Sequence, residues 1–204
     1  MVVIMNYDTN IQEQIKVFTK IIRKNKKLMR VLKVLEEYAN ENPVFKNHYI
    51  GAGSVNQTVF NYLSGMEIDY GIKDLDIVYY DSDTSYDAED KIIKELESRL
   101  GDCGISYDIK NEARVHIWYN EKYDNKREPY TSLEDAVSSW GATVTCIGIR
   151  LEKGKLLVYC PFGLSDIFSM TIRPVKRCFT KEQYEQRAER WKKKWDKLTI
   201  IPWN

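Results

Sequence analysis

Residues 48–81 read HYIGAGSVNQTVFNYLSGMEIDYGIKDLDIVYYD, and the rest of the chain is arranged around them. Tyr49 and Ile50 form a short apolar run that enters Gly51-Ala-Gly53-Ser54. A helix-compatible pattern follows from Val55 to Leu63, and Lys73-Asp-Leu-Asp76 then opens a β-rich run from Ile77 to Tyr80. The order predicted is strand, tight turn, helix, loop, strand. Side chains alternate faces along an extended segment, so Asp74 and Asp76 project to one side while Leu75 and Ile77 project into a core. Two carboxylates confined to one small volume repel unless a cation or a proton joins them, so the pair asks for a divalent metal or a raised pKa. Gly51 and Gly53 permit a turn closed to residues with a Cβ, and the helix that follows aims unpaired N–H groups and its positive end at whatever sits there. An anion site and a cation site are therefore expected close together. The turn lacks the third glycine of a dinucleotide fingerprint and the Gly-Lys-Ser/Thr of a P-loop, which excludes both readings.

Gly-Ser at a turn into a helix, followed by Asp-x-Asp on a strand, resembles the nucleotidyltransferase superfamily that includes DNA polymerase β and the aminoglycoside nucleotidyltransferases. Downstream, Lys110-Asn-Glu-Ala-Arg-Val-His116, the Trp140 segment, Val144 to Arg150 and Pro161-Phe-Gly-Leu-Ser-Asp-Ile-Phe168 resemble, in order, the blocks of a bacterial branch of nucleotidyltransferase-like proteins. The resemblance spans roughly residues 48 to 200. It implies a nucleoside triphosphate substrate and Asp74 and Asp76 as ligands for Mg²⁺ or Mn²⁺. It places the phosphates near Gly51, Gly53 and Ser54, and a third carboxylate on a neighbouring strand. Asp108 is the first choice for that acid, as catalytic residue and metal ligand, and Glu112 the second. The acceptor, whether RNA, protein or small molecule, is not named by these motifs.

At 204 residues the chain suits one domain over residues 1–204, with an N-terminal helical segment over 1–42 and a C-terminal helix over 180–197. A hydrophobic content of 43% and a charged content of 30% are those of an ordinary globular protein. The net charge of +1 conceals an acidic centre from Glu67 to Asp90 between basic flanks, Lys16 to Lys33 and Arg173 to Lys197. The centre suits a cation, and the flanks suit solvent or a polyanion. No apolar run approaches the length of about 18 residues that spans a bilayer, and the opening segment turns polar too soon for a signal peptide, so a cytoplasmic location without a membrane partner is expected. The four cysteines lack CxxC spacing and sit mostly in apolar runs, so reduced thiols are expected rather than disulfides or zinc.

In chain order, Thr9-x-x-Gln12 is a capping-box candidate for a first helix with Ile11, Ile15, Phe18 and Ile22 on one stripe, and Leu28, Val31, Leu32, Leu35 and Tyr38 form a second stripe ended by Asn42-Pro43. Tyr86 to Leu100 has helical spacing closed by Gly101. Ile105 to Trp118 is expected as one or two strands; a continuous one puts Asp108, Lys110, Glu112, Arg114 and His116 on one face. In that arrangement Lys73, Lys110, Arg114 and His116 are candidate phosphate or base ligands, with Arg150 a further cation, and Trp118 or Trp140 are candidates to stack on a base. Tyr119 to Tyr130 is expected as a polar loop, Ser132 to Trp140 as a short helix, Val144 to Arg150 with Lys155 to Tyr159 as a hairpin, and Thr180-x-x-Gln183 as the box of a last helix through Trp195.

The fold expected is α/β: a mixed twisted sheet flanked by helices, with a nucleotidyltransferase-like core. Two functions are expected. One is metal-assisted transfer of a nucleoside monophosphate with release of pyrophosphate; the other is a catalytically inactive nucleotide- or RNA-binding module on the same fold.

Overall fold

The computed structural model describes residues 11–102, 104–123 and 127–204, the side chains of 121–123 excepted; the Thr9 capping box and Cys103 lie outside the described residues. Two helices open the chain, α1 (Ile11–Ile22) and α2 (Lys26–Glu41), joined at Asn25, whose side chain accepts the Leu28 N–H at 3.1 Å and so starts α2. Strand β1 (His48–Gly51) leads into α3 (Ala52–Ser64), and after a loop comes β2 (Asp74–Tyr79). Helix α4 (Tyr86–Leu100) is capped by the Ser85 hydroxyl and closed by Gly101 at φ 58, and β3 (Ser106–Asn111) follows it. Then come α5 (Val115–Tyr123), α6 (Leu133–Val137), the hairpin β4 (Gly148–Glu152) and β5 (Lys155–Tyr159), and α7 (Ser165–Phe168). A small parallel pair of β6 (Thr171–Ile172) and β7 (Thr199–Ile200) brackets α8 (Lys181–Lys192).

The main sheet runs β3-β2-β1-β4-β5, with β2 and β3 parallel and the other pairs antiparallel. This is a mixed sheet flanked by helices. The period-two alternation divides its faces. Ile50, Leu75, Ile77, Ile109 and Ile149 enter the main core with α1 to α4. The other face carries Asp76 and Val78 of β2, Asp108 and Lys110 of β3, and Tyr49, which packs with Val78, Leu133 and Val137.

Helix α8 joins the main core through Tyr184, Ala188, Trp191 and Trp195. Phe60 of α3 meets Trp191 and Trp195 edge-on at 6.3 and 5.6 Å, and the Trp195 indole N–H donates to the Asn61 side-chain oxygen at 2.9 Å. The Thr180–Gln183 capping box is complete, although the helix proper ends at Lys192.

Several local expectations are corrected. The segment expected as a loop from Tyr119 is helical as far as Tyr123, where α5 ends, and the first strand of the hairpin expected from Val144 begins at Gly148. The strand expected from Ile105 to Trp118 stops at Asn111. The buried Asn111 side chain accepts the N–H groups of Asp81 and Ala113 and donates to the carbonyls of Asp81 and Asp83, which turns the chain off the sheet into a short 3-10 turn at Glu112–Arg114 and then α5. Only Asp108 and Lys110 of the five polar residues therefore share a strand face. Helix α3 begins three residues earlier than expected, because Ala52 turns the chain at once with φ 49, and Gly53 and Ser54 are helical.

Candidate active site

The parallel register sets Asp76 beside Asp108, and Val78 beside Lys110, on the sheet face away from the main core. Neighbouring strands lie about 4.8 Å apart, so these two carboxyl groups share a small space. On its other side Asp76 pairs with Gly51, which brings the turn into α3 beside the acids. Gly51 permits a close approach there: a Cβ on it would stand 2.5 Å from the Trp140 ring and 2.6 Å from the Ile147 carbonyl oxygen.

Above this floor lies a cavity of about 340 Å³, a volume within the usual range for small-molecule sites. Asp76, Asp108, Lys110 and the buried Glu112 form one part of its lining, and Ala52 marks the turn. Trp118, Tyr119, Tyr130, Trp140 and Phe179 supply aromatic wall, while Arg127, Gln183 and Arg187 bring polar groups from two further segments.

The carboxyl groups are under-compensated. Burial pushes the Asp76 pKa up to about 7, and the nearby Asp74 and Asp108 add to the rise against Lys110 and Arg187. Burial likewise pushes Glu112 up to about 8, against the pull of Lys110 and Arg127. Lys110 forms an ion pair with Asp108 and lies 5.8 Å from the Trp118 ring centroid. The Arg187 guanidinium is itself poorly hydrated: burial and the neighbouring Arg190 lower its pKa, and Asp76 opposes that. It lies 4.5 Å from the Phe179 ring centroid and donates to the Trp140 carbonyl at 3.4 Å. A site whose floor carries buried carboxyl groups that hold protons in place of a cation, with an arginine on its wall, suits a cation and an oxyanion together.

The remaining sequence-derived candidates are placed unevenly. Asp74 and Lys73 are exposed at the start of β2, outside the cavity lining. Ser54 is 1% exposed and donates its hydroxyl to the Gly51 carbonyl at 3.0 Å, while Gly53 lies in the first turn of α3. Arg114 pairs with Glu89 and donates to the Thr84 carbonyl at 2.8 Å, so its guanidinium ties the turn after β3 to α4 and the loop before it. His116 sits on α5, with Nδ1 buried and lacking a hydrogen-bond partner. Arg150 lies 5.0 Å from the Tyr49 ring centroid and donates to Asn47 at 3.3 Å.

Arg187, Arg127 and Gln183 escaped the sequence reading. Arg187 carried a usable signal, since it directly precedes Ala188 and follows Tyr184 by three, which puts a cation at the margin of an apolar helix stripe.

The mixed sheet with a turn-helix leaving β1 beside acids on β2 and β3 defines an enzyme of the nucleotidyltransferase class. A nucleotidyltransferase family model matches residues 41–200, and the chain belongs to that family.

Among solved structures, one described as revealing a CCA-adding enzyme head domain is similar with a TM-score of 0.73 at 24% identity, over 97% of this chain and 100% of that one. A tRNA-processing enzyme complex is similar with a TM-score of 0.51 at 19% identity, over 82% of this chain and 43% of that one. Comparison with curated proteins finds no match. No helix among the described residues is long and apolar enough to cross a membrane.

Proposed function

We propose that the protein transfers a nucleoside monophosphate from a nucleoside triphosphate to an acceptor hydroxyl, releasing pyrophosphate, and that Asp76 and Asp108 carry the reaction with Mg²⁺ or Mn²⁺. The observation that supports this most is the pairing of these two acids on adjacent parallel strands beneath a cavity that also holds Arg187. Oxygen donors without histidine or thiolate suit a hard divalent ion, and the raised Asp76 pKa marks a carboxyl short of positive charge, so the residues fit such an ion. Among the described residues no three acids converge as a finished cluster, and Asp108 faces Lys110; Asp76 and Asp108 would hold the ion once Lys110 releases its partner, with Asp74 two residues before Asp76. The ion, when bound, neutralises charge on the phosphates and favours the ionised form of an acceptor hydroxyl.

The chain's own groups supply the rest. Arg187 binds a phosphate oxygen of the triphosphate opposite the acids, and Lys110, released from Asp108, binds another. Trp140 and Trp118 hold the base between aromatic surfaces. The acceptor oxygen bonds to the α-phosphorus as the bond from that phosphorus to the β-bridging oxygen breaks, and the acceptor proton passes to Asp108. Gly53 and the first turn of α3 add the helix's positive end, while Ser54 holds the turn through its bond to Gly51.

The Lys110–Asp108 pair also favours a second reading, a module that holds nucleotide without turning it over, because in the closed pair Lys110 already neutralises one of the two acids. Incubating the protein with each α-phosphate-labelled triphosphate and Mg²⁺, with and without cellular RNA and protein, separates the two. Labelled product supports transfer, and nucleotide binding with no labelled product in any mixture supports the module.

A further inference from the structure

Arg187 is the innermost of a row of cations. Arg187, Arg190 and Lys194 are spaced by three and four residues, so they share one face of α8 and of the turn that continues it, where Lys194 N–H donates to the Trp191 carbonyl at 2.9 Å. The Lys194 ammonium donates to the Gly71 carbonyl at 3.0 Å, which pins this end of the row to the loop before β2, two residues from Lys73. The row thus runs from the cavity beside Asp76, past Arg190 and Lys194, to Lys73 beside Asp74. Arg187 and Lys194 are partly buried; Arg190 and Lys73 are exposed.

Among the described residues none of the four is in an ion pair with a carboxylate. Burial is the larger cause that disfavours the charged forms of Arg187 and Lys194, and repulsion adds to it: Arg190 acts on both and Lys73 on Lys194, with Asp76 opposing at Arg187. Like charges brought close without an ion pair weaken a fold unless an anion joins them. The other basic surface differs. On α1 and α2, which cover the opposite sheet face, Lys27 pairs with Asp69 at 2.7 Å, and Arg23 and Arg30 donate to the carbonyls of Gly154 and Leu100.

We propose that Lys73, Lys194 and Arg190 form a track for the phosphodiester backbone of a single-stranded nucleic acid whose terminal hydroxyl enters the cavity at Arg187 and Asp76. Successive cations on the helix stand about one turn, 5.4 Å, apart, a step suited to successive phosphates of an extended strand. With Trp118 and Trp140 given to the base of the triphosphate, Tyr119 and Phe179 of the same wall are left to take an unstacked terminal base, a mode tolerant of sequence. The inference rests on the nucleotidyl-transfer reading and names its acceptor as a strand rather than a protein or a small molecule.

Binding without chemistry tests it. A short fluorescent single-stranded RNA of mixed sequence is titrated with the protein by anisotropy at several salt concentrations, with no nucleotide and no metal. The variants are Lys73→Gln/Arg190→Gln/Lys194→Gln and, as control, Lys20→Gln/Lys26→Gln/Lys33→Gln on the opposite side. The track triple is expected to weaken binding at least tenfold and to flatten the slope of log K against log salt by about 2, since each single-strand phosphate contact contributes roughly 0.7. The control triple is expected to bind as wild type. Lys194 also braces Gly71, so Lys73→Gln/Arg190→Gln is read alongside and is expected to flatten the slope by about 1.4 with an unchanged thermal melt.

An unchanged slope in both track variants, or an equal loss in the control triple, overturns the proposal. So does a track triple that loses affinity for free triphosphate but not for the strand, which would give the row to the nucleotide. The two readings fail separately: strand binding along the row without transfer of any nucleotide removes the transferase reading alone, and transfer to a non-nucleic acceptor without strand binding removes this one alone.

Discussion

Asp76 of β2 stands in register beside Asp108 of the parallel strand β3, with Gly51 opposite it on β1. The chemistry proposed for the cavity grows from that adjacency, and its first consequence is for the fold. The folded-state pKa of Asp76 is raised from 3.8 to about 7, so the native state holds a proton that the unfolded chain releases. Its contribution to stability is therefore full below about pH 4 and is lost as pH rises toward 7; Glu112, raised from 4.5 to about 8, extends the loss toward pH 8. Thermal melts of the metal-free protein are expected to fall across this window. Asp76→Asn is expected to be neutral near pH 4 and to raise stability at pH 8 by about 1 to 2 kcal/mol, or roughly 2 to 8 °C. A melt that rises between pH 5 and 8, with no gain from the substitution, contradicts this.

Added Mg²⁺ is expected to act in the same place. At pH 7.5 it should raise the wild-type melting temperature and leave Asp76→Asn/Asp108→Asn unmoved, because a cation that binds only the folded state stabilises by mass action. Equal shifts in both proteins would put the ion elsewhere.

Arg187 carries the phosphate side of the account. Arg187→Gln is expected to raise the KM for the triphosphate and lower kcat/KM at least a hundredfold, with Arg187→Lys restoring part of the loss. Steady-state kinetics check this; a variant within threefold of wild type would assign the guanidinium to bracing Phe179 and the Trp140 carbonyl.

Gly51→Ala is expected to be severely destabilising, by about 2 to 4 kcal/mol, since the new methyl group meets both the Trp140 ring and the Ile147 carbonyl and the backbone atom cannot step aside. Denaturant unfolding measures it. Gly65→Ala, at φ 69 with nothing within 4 Å of the added carbon, carries the strain of a positive φ without contact, whereas Gly51 at φ -144 carries contact without that strain.

Much of the scaffold was legible because it follows local periodicity. Helix α4 takes the residues its apolar spacing marks, ending at Gly101, and the acids of β2 alternate with Leu75 and Ile77 as a strand demands. The segment after Ile109 was not legible. A single side chain, Asn111, collects bonds from the Asp81–Asp83 loop and breaks the strand, and that depends on a contact thirty residues away in sequence. The break sends Arg114 to Glu89 and His116 onto α5. Arg187 was hidden for a similar reason: a cation on a C-terminal helix reads as a solvated face until the fold carries it to the cavity beside Asp76.

The most direct measurement is transfer of labelled nucleoside monophosphate by wild type, Asp76→Asn and Asp108→Asn, in the nucleotide and acceptor mixture that gives product, with each variant's melt recorded alongside. The account predicts loss of at least a thousandfold in both variants, with folds as stable as wild type or more so. Labelling by Asp76→Asn at the wild-type rate would contradict it.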